Sequence, residues 1–264
     1  MAANSIWLKL IGLIILIIKC STKEKIWKDG REPIEQRVNT LLSKMTLEEK
    51  IYQLISWQYY PPSTFSNGVG RIKQSGTDPQ SIISFRNEQQ QIVINNSRLN
   101  IPASFHAESL HSSGDGGTVF PTPILQGCTW NTTLIELIAS AIAVESRSLG
   151  TDVMYSPVLN MWTDPRFGRT SEGFSENPTL SSFYARAAVK GYQDDNAGGP
   201  YTYLADDKGI SLAKHYAAYG AGIGGLNSSP SDISLRTMYE IYLKPWRAFA
   251  GGIDVHIFDA YFIK

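Results

Sequence analysis

From residue 33 onward, apolar positions alternate between helical spacing and short continuous runs. Leu41, Leu42 and Met45 recur at helical spacing within residues 33–55. Thr46-Leu47-Glu48-Glu49 has the form of a capping box, a hydroxyl followed three residues later by a carboxylate. The segment therefore reads as two helices broken at Thr46, with a loop at residues 59–63. Residues 68–72 read as a short strand. Residues 79–99 read as a long helix with Ile82, Ile83, Phe85, Ile92 and Val93 on its apolar side. Residues 101–105 are a second strand. The clearest helix runs over 131–149, where Asn131 is the cap and Leu134, Ile135, Ile138, Ala141 and Ile142 sit three to four apart. A strand at 152–158, a helix at 179–193, a strand at 210–213, a helix at 231–247 and a strand at 252–258 complete the pattern. Strand alternating with helix predicts a parallel sheet with crossover helices, the α/β class. Five strands can be counted, where a closed (β/α)8 barrel of the TIM type has eight.

The N-terminus follows a different pattern. Residues 10–18 carry no polar side chain and lie between Lys9 and Lys19. The run is short for a bilayer and matches the core of a signal peptide, so residues 1–20 read as a secretory leader, with an anchor formed by residues 6–18 as the alternative. The expected location is secreted or extracellular, with a lysosomal or other endomembrane destination also open. Three acceptor tripeptides, at Asn95, Asn131 and Asn227, suit that route. Asn131 is the doubtful one because it also caps a helix.

Composition removes some partners. Lys and Arg number 24, as do Asp and Glu, so nothing in the charge balance calls for nucleic acid or an acidic lipid surface. Two cysteines, Cys20 and Cys128, make no disulfide framework, which leaves Cys128 a buried or free thiol. No metal or cofactor is expected.

The candidate chemistry lies at the strand ends. Lys214 and His215 follow the run 210–213 and precede the glycine-rich stretch 220–225, and at a barrel rim such a pair can hold hydroxyls, phosphates or carboxylates. They can equally be a solvated strand end and a satisfied core histidine. Glu108, after the second strand, can accept two hydrogen bonds from neighbouring hydroxyls, or cap a helix. The stretch from Asn160 to Arg169 follows the next strand, and Asp164 with Arg166 reads there as an internal turn pair.

Four of these stretches, in order and in register, resemble glycoside hydrolase family 3. Arg98-Leu99-Asn100-Ile101-Pro102 with Glu108 and His111 is similar to its R-L-x-I-P … D/E-x-x-H segment. Thr163-Asp164-Pro165-Arg166-Phe167-Gly168-Arg169 with Glu172 is similar to its R-D-P-R-W-G-R … E motif. Glu176-Asn177-Pro178 and Lys214-His215 match the motifs that follow. The resemblance covers roughly residues 37–255. It implies an N-terminal (β/α) barrel domain, here over residues 21–264 and incomplete at five to six strands. It also implies a β-glucosidase-type activity that releases a terminal sugar from β-linked oligosaccharides or glycosides with retention. Glu108 stands where the family grips sugar hydroxyls, and Arg169, Lys214 and His215 stand where it contacts the same sugar. Two neighbouring cations are expected to hold the carboxylate ionised.

Departures accompany the resemblance. Thr163 and Phe167 replace the usual Arg and Trp, and Glu108 replaces the commoner Asp, which leaves glucose against xylose open. Residues 256–264 diverge, and the motif bearing the family's nucleophile is not found. Asp254 and Asp259 lack that motif, so no residue is assigned as nucleophile or acid/base, and the chain is expected to be inactive alone. A β-xylosidase-like specificity and a non-catalytic sugar-binding or inert fragment stand as alternatives. A phosphosugar barrel is disfavoured, because 220–225 follows Lys214-His215 in the family's manner.

Overall fold

The computed structural model describes residues 26–58, 65–73, 78–114, 116–194 and 204–250. The leader, the loop at 59–63 and the strand expected at 252–258, with Asp254 and Asp259, lie outside the described residues. The chain divides after Gln53 into two compact units.

In the first unit a single 3-10 turn precedes α1 (Ile34–Lys44) and α2 (Leu47–Gln53). The break falls at Thr46 and the capping box is closed. The Thr46 amide donates to Glu49 Oε2 at 2.9 Å, and the Glu49 amide donates to Thr46 Oγ1 at 3.2 Å. Amides that the start of α2 would otherwise leave unpaired are thus satisfied by side chains.

The second unit is built on a parallel sheet of β1 (Ser56–Gln58), β2 (Arg71–Lys73), β3 (Ser104–Ala107), β4 (Val153–Met154) and β5 (Ile210–Ser211), paired in chain order. Helix α3 (Pro79–Asn96) links β2 to β3. Helices α4 (Pro123–Gly127) and α5 (Thr132–Ser148) link β3 to β4, and α6 (Pro178–Gln193) links β4 to β5. Parallel neighbours in sequential order with helical crossovers form the wall of a (β/α) barrel. The α/β class and the barrel-type wall read from the sequence both hold.

Side chains that accept the first free amides start the helices. Asp78 accepts from Ser81, Asn131 from Leu134, and Asn177 from Thr179 and Leu180. The period-2 alternation of strands then sorts the two faces of the sheet. Ile72 and Phe105 pack with Val93, Phe85 and Ile92 of α3. Met154 packs into the cluster of α5 and α6 with Ile135, Ile138, Ile142 and Tyr184. Those two helices approach so closely at Gly191 that a Cβ there would lie 2.3 Å from the Glu136 carbonyl oxygen. Arg71, Lys73, Ser104 and His106 occupy the opposite phase of β2 and β3, and so the other face.

Two elements differ from the sequence reading. Strand β1 has no counterpart in it, because three residues straight after a helix carry no turn signal and no alternation. The helix expected at 231–247 starts later and is not continuous. A short turn at Leu235–Thr237, begun by Ser234 Oγ accepting from the Thr237 amide, runs into a π-helical turn at Met238–Tyr242, and α7 follows at Lys244–Ala250. Pro245 explains the widened turn, since it has no amide to donate to the carbonyl of Ile241 and its ring crowds that group.

Candidate functional site

Glu108 is the first residue past β3. Lys214 lies beyond β5, where its amide donates to the Pro157 carbonyl at 3.1 Å and its carbonyl accepts from the Leu159 amide at 2.7 Å. With both backbone groups committed, the Lys214 side chain is aimed by the strand ends. Its Nζ meets Glu108 Oε2 at 2.5 Å. Lys73, the last residue of β2, approaches Oε1 of the same carboxylate at 3.4 Å. The Tyr155 ring lies 5.1 Å from the Lys73 ammonium and 5.7 Å from that of Lys214. The Lys214 side chain is 6% exposed while that of Glu108 is 43% exposed, so a buried ammonium holds a carboxylate that still faces solvent. The loop after Glu108 folds back onto it at Gly114, whose φ is 74° and whose added Cβ would lie 2.2 Å from the Glu108 carbonyl oxygen. Only glycine suits that position.

His215 is buried and oriented by Asn160. The His215 amide donates to Asn160 Oδ1 at 3.1 Å, so the other half of that amide group, Nδ2, faces the ring Nδ1 at 3.1 Å. Nδ2 can only donate, so Nδ1 accepts and the ring proton sits on Nε2. Burial pushes His215 down to about 3, and the charges of Lys214 and Arg169 push the same way, so the ring is neutral. The Lys214–His215 peptide is cis. The imidazole packs against Tyr219 at 4.6 Å between centroids. The Tyr219 hydroxyl accepts from Arg169 Nη1 at 2.9 Å and donates to Asn227 Oδ1. Arg169 spends the rest of its fork on Glu172, Nε to Oε1 and Nη2 to Oε2, both at 2.8 Å, a pairing that raises its pKa.

The four residues picked from the sequence therefore do not stand alike. Glu108 and Lys214 touch. His215 and Arg169 are joined to each other through Tyr219. The second cation on Glu108 is Lys73, and Arg169 is bound to Glu172 instead, because the 3-10 turn Thr170–Glu172 brings that carboxylate within three residues of it. Lys73 escaped the sequence reading because 35 residues separate it from Glu108 and only the pairing of β2 with β3 unites them. Its one signal was a basic residue at the end of a strand.

His106 lies under this cluster. It is buried, its Nε2 is 2.9 Å from Ser104 Oγ, and its Nδ1 has no hydrogen-bond partner among the described residues. Burial first, then Arg71 and Lys73, push it down to about 3. Asp164 and Arg166 form the exposed turn pair expected of them, at 2.6 Å. Asn95 and Asn227 are exposed; Asn131, also exposed, caps α5. Cys128 is a free, exposed thiol. Among the described residues no cluster of His, Cys, Asp and Glu could hold a metal ion, and no helix is long and apolar enough to cross a membrane.

Known proteins share this arrangement of chain. A β-xylosidase of Formosa agariphila is 31% identical over 82% of the chain and 26% of its own length. A periplasmic β-glucosidase of Salmonella typhimurium is 29% identical over 94% of the chain and 32% of its own length. Among solved structures, a β-glucosidase from Erythrobacter marinus superposes with a TM-score of 0.79 at 28% identity, over 88% of this chain and 32% of that one. A mutant β-glucosidase of Listeria innocua in complex with laminaribiose superposes with a TM-score of 0.74 at 27% identity, over 86% of this chain and 33% of that one. The chain thus spans about a quarter to a third of the length of these relatives. Residues 46–257 match the glycosyl hydrolase family 3 N-terminal domain, and the chain belongs to that family.

Proposed function

We propose that the ends of β2, β3 and β5 grip the terminal sugar of a β-linked oligosaccharide or glycoside, and that the chain supplies the barrel part of a retaining β-glucosidase-type hydrolase. The observation that carries this reading is the Glu108 carboxylate, held at 2.5 Å by a buried Lys214 yet open to solvent. A carboxylate so placed has lone pairs left for two adjacent sugar hydroxyls. Lys214 and the Nε2–H of His215 are donors directed by their own backbone and by Asn160. Arg169 positions Tyr219 and His215. Lys73 joins the cluster as a second cation on Glu108.

The chemical step of a retaining glycosidase takes two carboxyl groups about 5–5.5 Å apart. Glu108 and Glu172 are each engaged by cations, so neither is assigned as nucleophile or acid/base. A xylosidase-like specificity is the second reading, favoured by the Formosa agariphila relative and by the longer reach of Glu108 compared with an aspartate. Export of the chain rests on the leader-like residues 1–20, on the tripeptides at Asn95, Asn131 and Asn227, and on the periplasmic relative.

The test needs no turnover. Titration calorimetry of the full chain with glucose and with xylose is expected to give saturable binding of one in preference to the other. Glu108→Gln should weaken it about tenfold or more, the value of a lost charged hydrogen bond. Equal binding by wild type and Glu108→Gln would remove the reading.

A further inference from the structure

The second unit holds a cavity that the Glu108 site does not use. Its volume is about 490 Å³, within the range of small-ligand sites. It is built on the β3–α5 and β4–α6 connections, the same two that carry Glu108 and Arg169. Trp130, Trp162, Phe174 and Leu180 form its apolar lining. Trp130 is 78% exposed and its φ of 53° is left-handed, so a bulky aromatic is presented to solvent from a backbone conformation that such residues rarely adopt. Glu176, Thr163 and Thr170 also line the cavity, and the Glu176 carboxylate and the two threonine hydroxyls have no side-chain partner among the described residues.

An exposed indole beside an uncommitted carboxylate and two uncommitted hydroxyls is the chemistry that recognises a sugar ring. The apolar C–H face of a pyranose covers the indole, and its hydroxyls donate to the carboxylate and exchange hydrogen bonds with the threonines. We infer that this cavity is an accessory saccharide-binding subsite, taking a pyranose ring of a β-linked oligosaccharide outside the Glu108–Lys214 cluster. The choice of β-linked sugar rests on the function proposed above; the cavity and its lining do not. A ladder of ring contacts joins the two places: Trp162 to Phe167 at 4.9 Å, Phe167 to Tyr219 at 5.2 Å, and Tyr219 to His215 at 4.6 Å.

Cys128 lines the cavity and its thiol is free and exposed, which provides a reporter. The experiment measures iodoacetamide labelling of the full chain by peptide mass spectrometry, so that Cys128 is scored apart from Cys20. Cellotriose, xylotriose and laminaritriose are the probes, and glucose is the control. A trisaccharide is expected to slow labelling of Cys128. Trp130→Ala should require about tenfold more of it for the same protection, and Trp130→Phe should restore part of the effect. Glu108→Gln should leave the protection of Cys128 in place, even where it abolishes glucose binding. No protection by any of the three sugars overturns the inference. So does protection that survives Trp130→Ala but is lost in Glu108→Gln, since the sugar would then be acting from the Glu108 cluster. Glucose binding that is indifferent to Glu108→Gln, with Cys128 still protected, counts against the proposed function and leaves the accessory subsite standing.

Discussion

Glu108 and Glu172 are both carboxylates paired with cations in the second unit, yet they are held in opposite ways. Glu172 faces the planar fork of Arg169, and each of its oxygens takes one of two parallel bonds at 2.8 Å. Such a pair satisfies itself. Glu108 faces two lysines, one at 2.5 Å and one at 3.4 Å, each a point charge that fixes no plane. Lone pairs on Glu108 therefore stay open toward solvent. The same charges in a different geometry make one carboxylate a strut and leave the other open to a ligand, as the proposed function requires. Each cluster also contains a buried neutral imidazole, His106 beside Lys73 and His215 beside Lys214 and Arg169.

The largest expected effect comes from those two histidines. Both fall from the ordinary 6.5 to about 3 in the folded chain, chiefly through burial. Between these values the unfolded chain binds more protons than the folded one. Stability is therefore fully present above about pH 6.5 and is lost as pH falls toward 3, by up to about 1.4 kcal/mol per pH unit for each histidine. Asp29 and Asp164, held down from 3.8 to about 2 by hydrogen bonds from Arg31 and Arg166, lose their contribution as pH falls from about 3.8 toward 2, below the interval between pH 7 and pH 5. Urea midpoints at about pH 7 and pH 5 should differ, and His106→Gln should reduce the difference by roughly half. A midpoint that does not move over that interval would mean that neither cluster encloses a neutral ring.

Next in size is the loss of Lys214. Lys214→Ala should weaken sugar binding by about 1.5–3 kcal/mol, or tenfold to a hundredfold, because it removes a charged donor and lets Glu108 move. Arg169→Lys keeps its charge but cannot fork, and should cost less. Calorimetry on the two variants ranks them. The reverse order would exchange the roles of receptor and strut.

How much of this contrast was legible in the sequence depends on its range. Asp164 with Arg166 could be read as a pair because two residues separate them. The capping box at Thr46 and the cap at Asn131 are equally local, so those two helix starts were well placed. Glu108, Arg169, Lys214 and His215 came from motifs in register, and three of the four strands common to both readings carry or precede them. Lys73 was invisible because its role depends on the parallel pairing of β2 with β3. The pairing of Arg169 with Glu172 was not read, because motif register indicates which residues converge and leaves open which of two carboxylates a cation takes. The late helix failed at Pro245, where an apolar period running through a proline outweighed the missing amide.

Glu172→Gln comes third. It leaves the fork of Arg169 one charge short while keeping an acceptor in place. Stability should fall by about 0.5–1 kcal/mol, as for a partly exposed pair. Sugar affinity should change less than about threefold if Arg169 acts through Tyr219 and His215, as proposed above. A loss of affinity much larger than the loss of stability would put Arg169 in direct contact with the sugar and narrow the difference between the two carboxylates.

The smallest effect tests the second lysine on Glu108. At 3.4 Å, Lys73 makes a longer contact than Lys214, and its side chain is more exposed, so the two cations are unequal. Lys73→Met keeps the length of the side chain, and with it the packing on Tyr155, while removing the charge. Sugar binding should weaken by about 0.5 kcal/mol, roughly twofold, and the deficit should shrink as salt is raised. An effect as large as that of Lys214→Ala would make the lysines equivalent and Glu108 a carboxylate clamped from two sides. No effect at any salt concentration would leave Glu108 resting on Lys214 alone, the widest possible contrast with the forked, self-satisfied Glu172.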